Sequence, residues 1–238
     1  MSFPPRFGTL QISPRALKPH VDRALAGLRL PPAPRVLDAG CGHGLWSAYL
    51  VRRLPRASFL GVDIDAACVS ACAALGLGSR ARFEVLDLHR LEKRGAFDLI
   101  LCMNSIHYRG MEEVEILGRL ARALAPAGRL LFVGPMATDL QPFPWERFRP
   151  RPDYDGYTVE GLREKARRAG LVEILARPVV GPLGTLAKGI SRAVQGAPIL
   201  KFLVYPFLYA LLLLDALLPA QDRAYYLLGI FAPGGESR

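Results

Sequence analysis

Three glycines at alternate positions follow an aspartate, and this spacing suits a charged, nucleotide-like ligand. Asp38 ends a short apolar run typical of a β-strand, and Gly40, Gly42 and Gly44 come directly after it. Residues without a Cβ atom let the backbone turn sharply and let a ligand approach bare N–H groups. A helix expected just after Gly44 offers unpaired N–H groups to a carboxylate or phosphate, and Asp38 can accept from an amine. The loop therefore predicts a ligand that carries both an amine and an acid group.

Two further acidic residues stand at the ends of later predicted strands. The second strand ends at Asp63, and the third ends directly before Asp87. In doubly wound folds a carboxylate about twenty residues past the glycine loop binds a ribose. Asp63 is therefore the predicted ribose ligand, with Ile64 beside it, whereas Asp65 is the better candidate for the cap of the following helix. Taken alone, Asp87 is equally typical of a residue in a turn.

The glycine spacing separates this loop from the dinucleotide fingerprint. That fingerprint reads G-x-G-x-x-G, whereas this chain reads Asp38-x-Gly40-x-Gly42-x-Gly44. The chain resembles the class I S-adenosylmethionine-dependent methyltransferases, whose first motif has this pattern. The resemblance covers about residues 33 to 135 and continues through a fourth strand, a helix, a Pro/Gly turn and a fifth strand.

The resemblance implies an α/β fold with a seven-stranded, doubly wound Rossmann-like sheet, whose last strand returns antiparallel beside the fifth. It also implies S-adenosyl-L-methionine (SAM) as the cofactor. In the family an acidic residue after the third strand accepts from the adenine amine, and an apolar neighbour covers the ring. These roles fall to Asp87 and Leu88. Asn104, which follows the fourth strand, is expected to orient the cofactor or the acceptor.

His107 lies just past the fourth strand, where the methyl group and the acceptor meet in the family. Methyl transfer from a sulfonium is an in-line displacement that mainly needs alignment in a dry site. An imidazole titrates near neutrality and can take a proton from an oxygen or nitrogen acceptor. His107 is therefore the predicted catalytic base, and a hydrogen-bonded structural histidine is the alternative.

A loop rich in aromatic residues follows the fifth strand. Long irregular segments in compact domains are often functional lids, which is the role that we predict for this loop. Its aromatic residues are Phe143, Trp145, Phe148, Tyr154 and Tyr157. The helix that follows is predicted to begin at a cap, Thr158, and to end at Gly170 before the sixth strand.

The composition is that of one α/β domain with additions, because 238 residues are too few for two full domains with linkers. The four cysteines show no spacing suited to zinc, so no metal is expected. No signal peptide is recognised, and a cytoplasmic, reducing location is therefore predicted. The net charge of +10 suits nucleic acid or an anionic membrane, with the arginine bias of a GC-rich genome as the alternative explanation.

We predict three parts: an amino-terminal helical lid over 1–32, the methyltransferase domain over 33–176 and 224–238, and an apolar helical insert over 177–223. The centre of the insert is about twenty residues long and apolar on every face. A single membrane crossing would carry the last strand away from its sheet. Three interpretations remain: a cap over the substrate pocket, an element on the surface of a membrane, and a subunit interface.

Either a cap or a membrane element indicates an apolar acceptor. We therefore predict methyl transfer to a hydrophobic or lipid-like small molecule, at oxygen or nitrogen. The protein is expected in the cytoplasm, with contact to the inner face of an anionic membrane or a homodimer interface as its further associations. An RNA-modifying methyltransferase and a non-catalytic, membrane-associated SAM-binding protein are the alternatives. Nucleic acid is disfavoured as a partner because the chain lacks a recognition module with interleaved basic and aromatic residues.

Overall fold

One seven-stranded sheet organises the part of the chain that the structure describes. This computed structural model describes residues 12–108, 110–137, 156–194, 196–218 and 224–235. Of the predicted aromatic lid, only Tyr157 falls within these ranges. The other four aromatic residues of the lid, Phe143, Trp145, Phe148 and Tyr154, lie outside the described residues.

The strands and helices alternate along the chain. In order they are α1 (Ile12–Ala26), β1 (Arg35–Ala39), α2 (Leu45–Arg53), β2 (Ser58–Asp63), α3 (Ala66–Ala73), β3 (Ala81–Val85), a short 3-10 helix (Leu88–Arg90), β4 (Phe97–Met103), α4 (Glu113–Ala123), β5 (Leu124–Pro135), α5 (Val159–Arg168), β6 (Leu171–Val179), α6 (Pro182–Ala193), α7 (Pro198–Leu217) and β7 (Tyr226–Pro233).

The order of the strands is β3-β2-β1-β4-β5-β7-β6. Strands β1 to β5 are parallel to one another, and β7 runs antiparallel between β5 and β6. The predicted α/β class, the seven strands and the antiparallel return of the last strand are confirmed. The strand order reverses between β1 and β4, which is where open α/β sheets bind their ligands.

Helices cover both faces of this sheet. On one face α1, α2, α6 and α7 pack on a buried cluster that includes Leu50, Leu101 and Leu228. On the other face α4 and α5 pack on a second cluster, which includes Ile116 and Phe132. The central strands are apolar on both sides because both sides are buried. The carboxyl ends of β1 to β4 are consequently the place where polar residues can gather.

Two strands differ from their predicted bounds. β6 continues to Val179, beyond the predicted end at residue 176, because residues 177–179 pair with β7. Pro178 is tolerated there because β6 is an edge strand. The helical insert therefore begins after residue 179, not at residue 177.

The predicted Pro/Gly turn before the fifth strand is an irregularity within β5. Leu124 pairs with Phe97 of β4, and the next pair joins Arg129 to Leu99. The residues between Leu124 and Arg129 exceed what two steps along β4 can match, so they bulge from the ladder. The strand consequently starts directly after α4, with no separate connecting loop.

The predicted ends of α5 are confirmed. The Thr158 side chain accepts a hydrogen bond from the Gly161 N–H at 2.9 Å, as expected of an N-cap. Gly170 has a φ of +75° and follows the last turn of the helix. A residue in the left-handed region at this place is a common way to end a helix.

The insert forms α6 and α7, and α1 packs against both helices. Asp215 of α7 is buried and accepts a hydrogen bond from the Gly181 N–H at 2.8 Å. His20 of α1 is also buried, and burial, followed by the nearby Arg177 and Arg23, lowers its pKa to about 4. This histidine is therefore neutral at pH 7. Within the described ranges, none of the helices is long and apolar enough to cross a membrane.

Candidate functional site

A cleft of about 670 Å³ opens at the carboxyl ends of β1 to β4. Its volume falls within the range of roughly 300–1,000 Å³ that is usual for small-molecule sites. Most of the predicted site residues line it, namely Asp38, Gly40, Gly42, Asp63, Ile64, Asp87, Leu88 and Asn104. Gly44 and His107 are not among the described residues of the lining.

Asp38 is a buried acid at the end of β1. It is 2% exposed, and the Ser47 hydroxyl donates to its Oδ2 at 2.6 Å. Burial raises the pKa of Asp38 to about 6, although the hydroxyl and the backbone N–H of Ser47 oppose this rise. Ser47 belongs to the first turn of α2, whose N–H groups favour an anion. The carboxylate is therefore held in place but poorly solvated, and a cation beside it would stabilise its charged form.

The glycines of the loop serve different purposes. Gly40 has a φ of +75°, and a Cβ atom there would lie 2.3 Å from Cβ of Ser105. Gly42 has a φ of +50°, and its missing Cβ atom points to open space that belongs to the cleft. A Cβ atom at Gly44 would instead meet Cys72 and Leu75. Gly44 therefore serves the packing of α3 against the loop, which explains its place outside the lining.

Asp63 lies at the end of β2 with both carboxylate oxygens held by backbone N–H groups. Its Oδ2 accepts from Gly42 at 2.8 Å, and its Oδ1 accepts from Asp65 at 3.0 Å. Asp65 caps α3 by accepting from the Ala67 N–H at 2.8 Å, so the prediction that Asp65 is the cap is confirmed. Each Asp63 oxygen keeps a second lone pair, which suits the hydroxyl pair of a ribose.

Asp87 combines the two roles that the sequence left open. Its Oδ1 accepts from the His89 N–H at 2.9 Å and contacts His89 Nδ1 at 2.9 Å, so the residue caps the short 3-10 helix. The same residue lines the cleft, next to the buried Leu88. Both of these contacts use Oδ1, which leaves Oδ2 to face a ligand.

The chain turns sharply at the end of β4. Asn104 has a φ of +57°, which asparagine tolerates better than most residues, and its N–H donates to the Val133 carbonyl at 2.7 Å. Ser105 follows and donates from its hydroxyl to the Ala39 carbonyl at 2.8 Å. This turn directs Asn104, Ser105 and Tyr108 into the cleft. His107 stacks on Tyr108 with the ring centroids 4.4 Å apart.

The sequence reasoning missed an apolar wall of the cleft that is formed by the start of α2, the end of β4 and the segment after β4. We define this apolar wall as Leu45, Trp46, Met103, Tyr108 and Met111. Trp46 stands directly after the glycine loop, and Tyr108 and Met111 follow β4 closely, so position after a strand end is a signal that could have indicated them. The cleft also includes Cys41, His43, Asp65, Cys68, Leu86 and Ser105. The part of α1 that the structure describes contributes nothing to the lining, and the lid role of residues 1–32 stays a prediction.

The sheet order, the glycine loop and the carboxylates at three strand ends define a Rossmann-like α/β protein with a nucleotide-type site. Residues 36–128 match the family described as "Methyltransferase domain". Malonyl-[acyl-carrier protein] O-methyltransferase from Magnetococcus marinus is 36% identical over 110 residues, which cover 45% of this chain and 40% of that protein. Phthiotriol/phenolphthiotriol dimycocerosates methyltransferase 1 from Mycobacterium ulcerans is 30% identical over 149 residues, 58% of this chain and 50% of that protein.

A solved structure has the same fold. Haemonchus contortus phosphoethanolamine N-methyltransferase 2, in complex with SAM, gives a TM-score of 0.66 at 16% identity and covers 91% of this chain and 52% of that chain. The chain spans half or less of the length of these curated relatives. Residues 36–128 therefore form a methyltransferase domain of the class I SAM-dependent family, and SAM is the cofactor of that family. The predicted family and cofactor are thereby confirmed.

The residues of the cleft fit SAM. Asp87, Asp63 and Asp38 follow one another along the neighbouring strands β3, β2 and β1, which matches the sequence of adenine, ribose and amino acid in the cofactor. The buried Asp38 suits the ammonium group, and the N-terminal end of α2, where the helix dipole is positive, suits the carboxylate. The N–H groups of Gly40, Gly42 and Gly44 were expected to be free for the ligand, but each donates a hydrogen bond within the protein. The assignment of each residue to one part of the cofactor stays a prediction.

We expect Gly40→Ala and Gly42→Ala to fail in different ways. Alanine at 40 forces the ends of β1 and β4 apart, so the free energy of unfolding should fall by about 2–4 kcal/mol. Alanine at 42 meets no protein atom within 4 Å but enters the cleft, so SAM affinity should fall by about tenfold or more, with only about 1 kcal/mol lost from stability. Urea unfolding and calorimetric SAM titration measure the two effects.

Gly78→Ala is the matched control for these variants. Gly78 has a φ of +82° with nothing within 4 Å of its missing Cβ atom, and it is not part of the cleft lining. This control shares the backbone strain of both variants. It has neither the clash with Ser105 expected for Gly40→Ala nor the methyl group in the cleft expected for Gly42→Ala. Equal stability of the Gly40 and Gly78 variants would contradict the role given to the Ser105 contact.

SAM affinity should depend on pH through Asp38. Because the pKa of this acid is raised to about 6, its neutral form dominates below pH 6 and attracts the ammonium group less. At pH 5 about one tenth of the sites are ionised, so the Kd of SAM should be about tenfold higher than at pH 7. The Asp38→Asn variant should bind SAM weakly at both pH values. Calorimetry at pH 5 and 7 measures this, and a wild-type Kd that is the same at both values would refute the assignment.

Proposed function

We propose that the protein is an enzyme that transfers a methyl group from SAM to an oxygen or nitrogen atom of a hydrophobic or lipid-like small molecule. The observation that carries the proposal is the division of the cleft into two parts. Acidic residues occupy the ends of β1 to β3, where Ile64, Leu86 and Leu88 also line the cleft, and the apolar wall comes from the start of α2, the end of β4 and the segment after β4. Such a division suits a charged cofactor beside an apolar acceptor.

The order of the strands supports an approach of the acceptor from the side of β4. If adenine lies at β3 and the amino acid lies at β1, the acceptor has to approach from the remaining side of the cleft, which is β4. Met103 and Tyr108 are presented there by β4 and by the turn that follows it. Trp46 and Met103 also belong to the buried cluster beneath α7, so the apolar surface continues from the cleft into the core.

The name of one relative supports transfer to oxygen, and the name of another supports a lipid-like acceptor. One is a malonyl-[acyl-carrier protein] O-methyltransferase, and the other is a methyltransferase of phthiotriol/phenolphthiotriol dimycocerosates. Both names point to acceptors other than nucleic acid. The proposed enzyme works in the cytoplasm, which agrees with the free state of all four cysteines.

The chain contributes to catalysis mainly by positioning the reactants and by excluding water from them. When bound, SAM supplies a methyl group that is already activated by its sulfonium. Asp38, Asp63 and Asp87 hold the donor side, and the apolar wall orients the acceptor and excludes water. His107 remains our candidate base, and its stacking on Tyr108 places its ring one side chain away from the cleft.

Methyl transfer to extracted lipids tests the proposal. Purified protein with radiolabelled SAM should label an apolar fraction, and Met111→Ala should raise the acceptor KM about fivefold or more because about 1 kcal/mol of apolar contact is lost. The Kd of SAM should stay unchanged in that variant. Val172→Ala, an exposed residue of β6 outside the cleft, is the control and should change neither value.

Other outcomes of this assay favour the alternatives. Label in RNA but not in lipid would replace the acceptor class by RNA. SAM binding without label in either fraction would indicate a protein that binds the cofactor without turnover.

Replacement of His107 tests whether this residue is the catalytic base or only supports the ring of Tyr108. His107→Ala should leave the Kd of SAM unchanged, lower kcat by about a hundredfold, and remove the acidic limb of the pH profile of kcat, which is measured at saturating SAM so that the titration of Asp38 does not contribute. Tyr108→Ala serves as the comparison, since it should raise the acceptor KM and keep that limb. If the profile of the His107 variant keeps its acidic limb, the residue is not the base.

A further inference from the structure

One side of α7 presents a continuous apolar surface to solvent. We call this side the outer face of α7 and define it by the residues that are between 48% and 79% exposed on the open side of the helix: Ile199, Phe202, Leu203, Phe207, Leu213, Leu214 and Leu217. The face extends over about 27 Å at about 1.5 Å per residue. Isolated exposed apolar residues are ordinary, but an uninterrupted stripe of this length indicates a surface that binds something.

The opposite side of the same helix is anchored, so the outward direction is well defined. Leu208, Leu211 and Leu212 are buried in the cluster that they share with the sheet. Asp215 on this inner side accepts a hydrogen bond from the Gly181 N–H. A helix with one fixed buried side cannot rotate to hide its other apolar side. Of the three interpretations of the insert, a fully buried cap therefore does not describe α7.

Tyrosine residues and an arginine lie along one border of the outer face. Tyr205 and Tyr209 are one helical turn apart, Tyr209 is 44% exposed, and the Arg15 guanidinium lies 5.3 Å from the centre of the Tyr205 ring. The partly exposed Tyr209 suits the boundary between lipid and water, whereas the Tyr205 hydroxyl is buried and does not lie at that boundary. Arginine binds lipid phosphate. This border is typical of a helix that lies in the plane of a membrane surface.

The charge of the chain decides between a second copy and a lipid surface. With 31 basic and 21 acidic residues, each copy carries a net charge of +10. Two such copies repel each other, whereas an anionic bilayer attracts each of them. We propose that the outer face of α7 lies on the surface of an anionic lipid bilayer, with its apolar side chains among the acyl chains and Arg15 at the level of the headgroups.

This binding mode goes beyond the proposed reaction and does not depend on it. The inner side of α7 and two residues of the apolar wall, Trp46 and Met103, belong to one buried cluster. Loss of turnover and loss of binding can be measured separately, because binding is tested without SAM or acceptor.

Vesicle sedimentation tests the proposal with wild-type protein. Vesicles of phosphatidylcholine with a third of phosphatidylglycerol should bind the protein about tenfold more tightly than pure phosphatidylcholine, and added salt should weaken the binding. Equal affinity for the two vesicle types, or no sedimentation with either, would overturn the proposal.

Two double variants locate the binding surface. Phe202→Ser with Leu203→Ser should reduce binding to anionic vesicles by about tenfold or more, since the transfer of two large apolar side chains is lost. Val172→Ser with Ile174→Ser removes two apolar residues of similar exposure from β6 and should leave binding unchanged. Unchanged SAM affinity verifies folding, and Phe202→Ser alone replaces the double variant if the latter does not fold.

If a second copy of the chain covers the outer face of α7, the experiments should give different results. In that case analytical ultracentrifugation would show a wild-type dimer that the Phe202 and Leu203 substitutions convert to a monomer. Vesicle binding would then be the same for the wild type and the double variant. This result would overturn the lipid assignment.

Discussion

The close approach of two strand ends is the constraint on which the site depends. The end of β1 and the turn after β4 are so near that only glycine fits at position 40 opposite Ser105, and the Ser105 hydroxyl also bonds to the Ala39 carbonyl. This contact closes the floor of the cleft between the central strands. Because β1 and β4 pair side by side, Asp38 at the end of β1 and Asn104 after β4 lie at the same edge of the sheet.

The second constraint is the solvation of Asp38. A carboxylate that is 2% exposed is costly to ionise, and the Ser47 hydroxyl compensates for only part of that cost. The site therefore favours a ligand that brings its own positive charge. The N-terminal end of α2, which begins directly after the glycine loop, favours a negative charge. The pair of preferences selects an amino-acid zwitterion on grounds of electrostatics, before any contact with the rest of the ligand.

The donor side of the cleft could be predicted because its residues follow directly from strand ends. Asp38, Asp63 and Asp87 each stand where an apolar run stops, and parallel strands bring their carboxyl ends to one edge. The same logic gave the cap at Asp65 and the two ends of α5. These features depend on local sequence and on a sheet order that the family resemblance implied.

The apolar wall could not be predicted in the same way because its members come from separate segments. Trp46 belongs to α2, whereas Tyr108 and Met111 lie after β4, and only the β1–β4 neighbourhood brings them together. The extra length of β6 was missed for a related reason: pairing with β7 at the sheet edge extends the strand past a proline. For α7, an apolar sequence on all sides indicates burial but not which side is buried.

The sharing of one core by α1, α7 and the sheet has a consequence for how this protein can be rebuilt. The insert reads as an addition along the chain, yet Leu208, Leu211 and Leu212 fill the same cluster as Leu17 and Leu228. Excision of the helices between β6 and β7 would uncover that cluster, so a truncated protein should aggregate instead of reporting on the role of the insert. A chimera with a relative would have to exchange the first helix and the insert together, as one architectural unit.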